Sequence, residues 1–572
     1  MEPKTLRKRR LLVSAGLTVA ASAALMIGVA LPSASSASTG ARAAASSALM
    51  MESSQETTLT DDFNPFVSTS AANTVGATSL IYESMLEFDA AKPLTKPYDF
   101  LATGYTWGAG GKSITFAVRQ GVKWSNGSAL TAADVAFTYN MLVKYPDTNT
   151  NGIPVTGATA SGNNVTVTFS SPQYTNLQYI GEVYIVPQSV WGSLSGDPST
   201  FTDTSPIGSG PYELSSFQAT AGVVLSANPN YWGGPWNVGG GAPAVTTVQF
   251  PLLADTNGVL GALENNSLDW AGNFIPGLFG GYTNQSPSTH HTWFAPVQTN
   301  TLEPNLRTWP MNQLAVRKAV SLAINRTAIS KQGESGLEPV ATNASGLVLP
   351  NFASLLAPAV KGASLSANAN VKAADAVLKA AGYAPDKSGF YALKGKEVDI
   401  TITDPANYSD YALDDQLMAN ELKAAHIKAS FDGLSDNAWY ADLADGKFGS
   451  ATSHWSNTAI LPYGVYDGWL NSALDTANAG GDFEGLKNTT MDKDLAALAG
   501  QTTTAGQLKY LAPIEQYVAQ NLPVIPTVYG AAFDEYSTVH FTGWPTAGNA
   551  YESGSPNTPT NEVVVLHLKP VA

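Results

Sequence analysis

Trp439, Tyr440, Trp455, Tyr463, Tyr466 and Trp469 crowd one stretch of the chain, interspersed with His454, Asn457 and Asp467. Aromatic faces of this kind stack on the C–H faces of sugar rings or on peptide side chains, while neighbouring amides and carboxylates hydrogen-bond to the same ligand. The competing reading is that such large rings fill a core. Patterns that would support covalent chemistry are weaker. Trp107-Gly-Ala-Gly-Gly-Lys-Ser113 looks like a phosphate loop, but the first glycine of that motif would fall on Thr106, and the segment leads into a strand pattern. It is read as a turn. The sequence contains no G-x-S-x-G elbow and no H-E-x-x-H. His290-His291 is a poor chelate because the two are adjacent on a loop, and Asp61-Asp62 has no second acidic cluster close in sequence, so a solvated or capping role is expected. With no cysteine in the chain, thiol nucleophiles, disulfides and cysteine metal sites are excluded. No catalytic residue, metal site or cofactor is assigned.

The elements that must position any ligand site are legible in places. In 112–139, Ile114, Phe116 and Val118 alternate with polar residues as in a half-buried strand, Asn126-Gly127 is a turn dipeptide, and Thr131 with Asp134 opens a helix as a capping box. Val165 to Phe169 alternates again. From about residue 305 the period becomes helical, with Val316, Ala319, Val320 and Ala323 on one face, and 371–382 reads as a helix stopped by Gly382. Val398, Ile400 and Ile402 predict a strand, Leu413, Leu417, Leu422 and Ala425 stripe a helix, and 427–431 returns as a strand. This is a βαβ unit whose strands should be parallel.

At 572 residues the chain is too long for one core. Charged residues are only 13%, so the surface is rich in neutral hydrogen-bonding groups. The formal charge of −15 argues against nucleic acid and against an anionic membrane face. Five basic residues in the first ten precede an apolar run from Leu11 to Leu31 and a small-residue zone, the order of a secretory signal, with an uncleaved anchor as the alternative. Residues 1–45 are expected to be this segment, and the Ala/Ser-rich 46–56 a linker, with order beginning near Thr57.

The wording of 112–139, together with Phe63-Asn64-Pro65-Phe66, Pro206-Ile-Gly-Ser-Gly-Pro-Tyr-Glu-Leu214, Asn228-Pro-Asn-Tyr-Trp232 and Asn521-Leu-Pro-Val-Ile-Pro-Thr-Val-Tyr529, resembles the extracytoplasmic solute-binding proteins of the dipeptide, oligopeptide and nickel class, family 5. The resemblance runs from about 57 to 540. It implies an α/β, two-lobed periplasmic-binding-protein-like fold with ligand in the cleft between lobes that close by hinge bending. Lobe I would comprise 57–90, 206–304 and 525–572, with an extra β-rich subdomain at 91–205. Lobe II would comprise 305–524, with crossings near 300–308 and 518–528. The implied role is the extracytoplasmic receptor of an ABC importer, monomeric, partnered by membrane permease and ATPase subunits, with no nucleic acid and no enzymatic step. The ligand-binding residues it implies are Asn64, Phe66, Trp309, Trp439, Trp455, Asn457, Tyr463, Tyr466 and Trp469.

One departure bears on the ligand. Peptide-binding members carry W-x-A-D-Y-x-D-P, whose aspartate pairs with the peptide ammonium. The matching stretch here is His454 to Tyr463, and no acid occurs between Asp445 and Asp467. A buried ammonium without a partner is costly. Oligopeptides therefore share the expectation with cello-, xylo- or manno-oligosaccharides, unless Asp436, Asp442 or Asp467 supplies the charge. Nickel finds no histidine cluster. A secreted hydrolase and a signalling receptor on the same fold remain as the alternatives of other classes.

Overall fold

The computed structural model describes residues 48–349, 351–455, 461–475, 481–557 and 559–571. A seven-stranded sheet forms the first layer. Its order is His290–Thr292, Glu535–Ser537, Trp270–Ala271, Ala48–Glu52, Thr247–Pro251, Gly222–Ala227 and Tyr212–Gln218. Ala48–Glu52 lies in its middle, parallel to both neighbours, with Leu49 and Met51 fully buried. This corrects the expectation that 46–56 is a linker with order beginning near Thr57. Ala48-Leu-Met-Met51 is a short continuous apolar run of the kind that fills a central parallel strand, and its lack of alternation hides it behind the Ala/Ser-rich residues before it.

The second sheet has the order Lys428–Leu434, Asp399–Pro405, Ala451–Trp455, Asn300–Pro304 and Ile525–Pro526. Asp399–Pro405 and Lys428–Leu434 are parallel and joined through the helix Ser409–Ala424, as the βαβ pattern predicts. The helix is rotated relative to the expected stripe. Leu413 is exposed, while Asp414 and Asp415 are buried beside Ala412, Met418, Ala419 and Leu422. The helix Leu314–Ala323 does bury Val316, Ala319, Val320 and Ala323, and Gly382 follows Val371–Ala380 at φ +84.

A four-stranded antiparallel sheet, in the order Ala102–Trp107, Ser113–Val118, Asn164–Phe169, Val155–Ser161, is covered by the helix Ala132–Lys144. The capping box is formed: Thr131 N donates to Asp134 Oδ2 at 2.9 Å. Gly127 adopts φ +83, which the turn requires.

The two large sheets are connected by one short ladder, Ala295–Pro296 against Ala531–Ala532, antiparallel. Asn300–Pro304 and Ile525–Pro526 already belong to the second sheet, and 504–521 is helix. The crossings therefore lie a few residues outside the expected 300–308 and 518–528, because the apolar run after Asn521 continues the second sheet before it leaves. A protein starting at residue 57 lacks the central strand. It is expected to show no cooperative thermal transition in calorimetry, whereas one starting at residue 46 should melt as a single folded species.

Candidate functional site

Ligands of open α/β sheets lie outside the carboxyl ends of the parallel strands. In the first sheet that edge is Glu52 and Ala271, and Glu535, paired with Ala271, stands there as the chain arrives from the ladder. In the second sheet it is Pro405 and Trp455, and Trp455 pairs with Asn300, just beyond the ladder. Both carboxyl edges thus flank the Ala295–Pro296/Ala531–Ala532 ladder. The lobes also touch farther out: Leu461 packs against the first core and Tyr179 against a core of the second lobe.

On the first edge, amides and carboxyls hold one another. Asn273 Nδ2 donates to Glu52, Gln55 Nε2 donates to Asn273 Oδ1 at 3.2 Å, and Asn273 N donates to Glu535 Oε2 at 3.3 Å. Burial pushes the Glu52 carboxyl up to about 7, against the opposing pull of Asn273. Beside them runs a half-buried phenylalanine series. Phe274 meets Phe533 edge-on at 6.1 Å between ring centroids, and Phe533 meets Phe294 at 5.8 Å. Phe294 and Phe533 sit on the two segments that join the sheets. This edge offers apolar ring faces, amides and carboxyls. Sequence reasoning missed these residues because it placed the crossings elsewhere, so nothing pointed to 274, 294 or 533.

A cavity of about 540 Å³ opens between the four-stranded subdomain and the second lobe. Tyr105 and Tyr174 line one wall, Tyr463, Leu498 and Leu511 the other. The Tyr463 hydroxyl is pushed up by burial and by Asp467, to which it hydrogen-bonds. Asp467 is itself half-buried and accepts from Asn471 Nδ2 at 2.9 Å.

The remaining expected site residues fall elsewhere. Asn64 is fully buried. Its Nδ2 donates to Pro198 O and Phe201 O, each at 2.8 Å, and its Oδ1 accepts from Phe66 N at 2.9 Å. It staples a loop. Phe66 packs edge-on against Trp191 and lines a separate cavity of about 300 Å³. Trp309 donates to Glu397 O at 2.9 Å and stacks on Tyr383. Trp439 is fully buried and donates to Thr452 Oγ1 at 2.9 Å, Tyr466 donates to Ser345 O at 3.0 Å, and Trp469 lies on Gly346. These aromatics pack in the second lobe, the core alternative that large rings always carry. The side chain of Trp455 and all of Asn457 lie outside the described residues. His290 stacks on Tyr282, and Asp62 Oδ1 accepts from Asn64 N and Asp203 N, both structural roles. Among the described residues no group of His, Asp and Glu is arranged to hold a metal ion.

A profile of the bacterial extracellular solute-binding proteins, family 5 Middle, matches residues 96–476. The chain belongs to this solute-binding family. The fold agrees with solved members. A periplasmic oligopeptide-binding protein of an oligopeptide ABC transporter from Thermotoga maritima superposes with a TM-score of 0.82 over 92% of this chain and 99% of its own, at 23% identity. The same protein with mannohexaose bound gives 0.76 over 92% and 98%, at 22% identity. In sequence, the nickel-binding periplasmic protein of Escherichia coli is 25% identical over 66% of this chain and 70% of the relative. A probable peptide-binding protein of Agrobacterium fabrum is 28% identical over 37% of this chain, which spans only 35% of that relative's length. No described helix of this family member is long and apolar enough to cross a membrane.

Replacing Asn64 by Ala leaves buried backbone groups unpaired and should cost about 3 kcal/mol in urea unfolding, with ligand affinity unchanged. Phe274→Ala should do the reverse, weakening ligand about tenfold in calorimetric titration while unfolding shifts by less than about 1 kcal/mol.

Proposed function

We propose that this chain is the extracytoplasmic receptor of an ATP-binding-cassette importer, capturing a small solute between its lobes and presenting the closed form to a membrane permease. The observation that carries the reading is the placement of both carboxyl edges around a single connecting ladder, in a chain of the solute-binding family. Such a connection lets two rigid layers rotate about a few residues. Lobe I is then 48–90, 206–296 and 531–572, carrying the subdomain 91–205, and lobe II is 300–526. Residues 1–45 would direct export, and energy for transport would come from the partner ATPase. The reaction is binding and release, without turnover.

Oligopeptides are the leading ligand class, in line with the peptide-binding relatives. A neutral oligosaccharide is the second reading. It is favoured by the lack of an acid between Asp445 and Asp467 and by the mannohexaose-bound neighbour. Phe274 and Phe533, with Tyr463 at the outer cavity, would supply the stacking faces, and Asn273 and Gln55 the hydrogen bonds.

A thermal-shift screen with di- to hexapeptides, cello-, xylo- and manno-oligosaccharides and nickel tests this. A ligand at a hundredfold over its dissociation constant should stabilise the protein by about 2.7 kcal/mol. A shift with peptides supports the first reading and a shift with sugars alone the second. No shift with any of them, or product formed from any of them, contradicts the receptor assignment.

A further inference from the structure

Glu338 stands where the two crossing segments meet. Its Oε2 accepts from Asn300 Nδ2 at 2.7 Å, at the start of the outgoing strand, and its Oε1 accepts from Ala531 N at 2.9 Å, in the returning segment. The backbone beside it ties in further: Tyr529 N donates to Pro339 O at 2.7 Å and Ala341 N to Thr527 O at 3.1 Å. One carboxylate side chain therefore clamps both connections between the lobes.

Behind this clamp is a run of buried acids. Glu334 and Asp410 face Glu338, as do Tyr411 and Asp414 from the helix Ser409–Ala424. Glu334 and Asp414 face each other, as do Asp404, at the end of Asp399–Pro405, and Asp415, and each of the four has a buried carboxyl oxygen without a hydrogen-bond partner. Asp415 also accepts from Ser453 Oγ at 2.5 Å. The run continues through Glu303 to Asp482 and Glu484. Arg307 and Lys487 reach only that far end, and Lys331, in the turn before Glu334, is exposed. Among the described residues, none of Glu338, Glu334, Asp414, Asp404 and Asp415 forms an ion pair. Two ionised carboxylates have only acceptors, so facing buried carboxyls can satisfy one another only when one of them carries a proton. Apposed buried carboxyls do not both ionise readily.

We propose that this carboxyl run is a proton-loaded clamp on the crossing. The arrangement in this structure keeps protons on the Glu334–Asp414 and Asp404–Asp415 pairs, and their loss as pH rises loosens the crossing and, on the receptor reading above, the grip on ligand. Burial pushes all four groups upward, and each pair's second carboxyl pushes Asp414 and Asp404 further. The folded state thus holds protons that the unfolded chain releases near pH 4. Stability is therefore fullest below about pH 4 and falls as pH climbs from there through the raised folded-state values.

The test needs no ligand. The melting temperature of the wild-type protein should fall by roughly 10 °C or more between pH 4.5 and pH 8. The double variant Asp404→Asn/Asp414→Asn, which keeps the shape of the neutral acids, should fall less than the wild type, the difference being about 3 °C or more. Its radius of gyration in solution scattering should stay constant where that of the wild type grows. A wild-type melting temperature that is flat or rises with pH, or a variant that falls as steeply, overturns the proposal. Should the double variant fail to fold, infrared spectroscopy of the wild type against the single variant Asp414→Asn decides. Carboxylic-acid C=O intensity at pH 6.5 that is lower in the single variant Asp414→Asn than in the wild type supports the proposal, and an unchanged band overturns it. Failure of the receptor reading would show separately, as no ligand shift at any pH alongside an intact pH profile.

Discussion

Everything in this molecule that concerns ligand hangs on the ladder formed by Ala295–Pro296 and Ala531–Ala532. The chain passes from the first lobe to the second once and returns once, and the two passages pair with each other. That pairing brings the carboxyl edges of two separate sheets to the same place, where Glu52, Asn273 and Phe274 stand on one side and Pro405 and Trp455 on the other. Two passages restrict relative motion to a rotation, and a few extended residues absorb it cheaply. Glu338 is hydrogen-bonded to both passages.

The second constraint is electrostatic. The chain has 45 acidic residues against 30 basic ones and only 13% charged residues in all. Several of its acids nevertheless lie inside, at Asp404, Asp414 and Asp415 in the second lobe and at Glu83, Glu87 and Glu562 in the first. An ionised carboxylate in such surroundings, without a cation, is strongly disfavoured. A neutral one needs only hydrogen-bond partners, such as the Trp232 indole that donates to Glu83 at 2.7 Å. Burial accordingly pushes Glu83 up to about 8. The same composition leaves the cleft edge with phenylalanine faces, amides and carboxyls rather than arginines or lysines.

How much of this was readable from the sequence depended on whether a signal was local. The capping box at Thr131 and Asp134, the turn at Gly127, the apolar stripe of Leu314–Ala323 and the βαβ unit are local, and they are formed as read. The strand Ala48–Glu52 was not readable as a strand because a central parallel strand shows no alternation. The helix Ser409–Ala424 misled for a deeper reason. Leucine was expected inside and aspartate outside, yet Leu413 is exposed and Asp414 buried, facing a carboxyl group distant in sequence. The aromatics from Trp439 to Trp469 drew attention as a ligand platform. Ring type alone cannot separate a cleft from a core: Trp439 and Tyr466 are fully buried, whereas Tyr463 lines the cavity between the subdomain and the second lobe. The phenylalanines at the ladder gave no signal, since their role follows from where the crossings lie.

The most direct test of the account is the distance between the lobes with and without ligand. The chain has no cysteine, so a pair of introduced cysteines carries spin labels without background. Exposed positions such as Asp255 in the first lobe and Lys372 in the second are suitable. Double electron–electron resonance should show a broad distance distribution in the free protein that narrows and shifts once a ligand from the screen is bound. An unchanged distribution at saturating ligand would contradict rotation about the ladder.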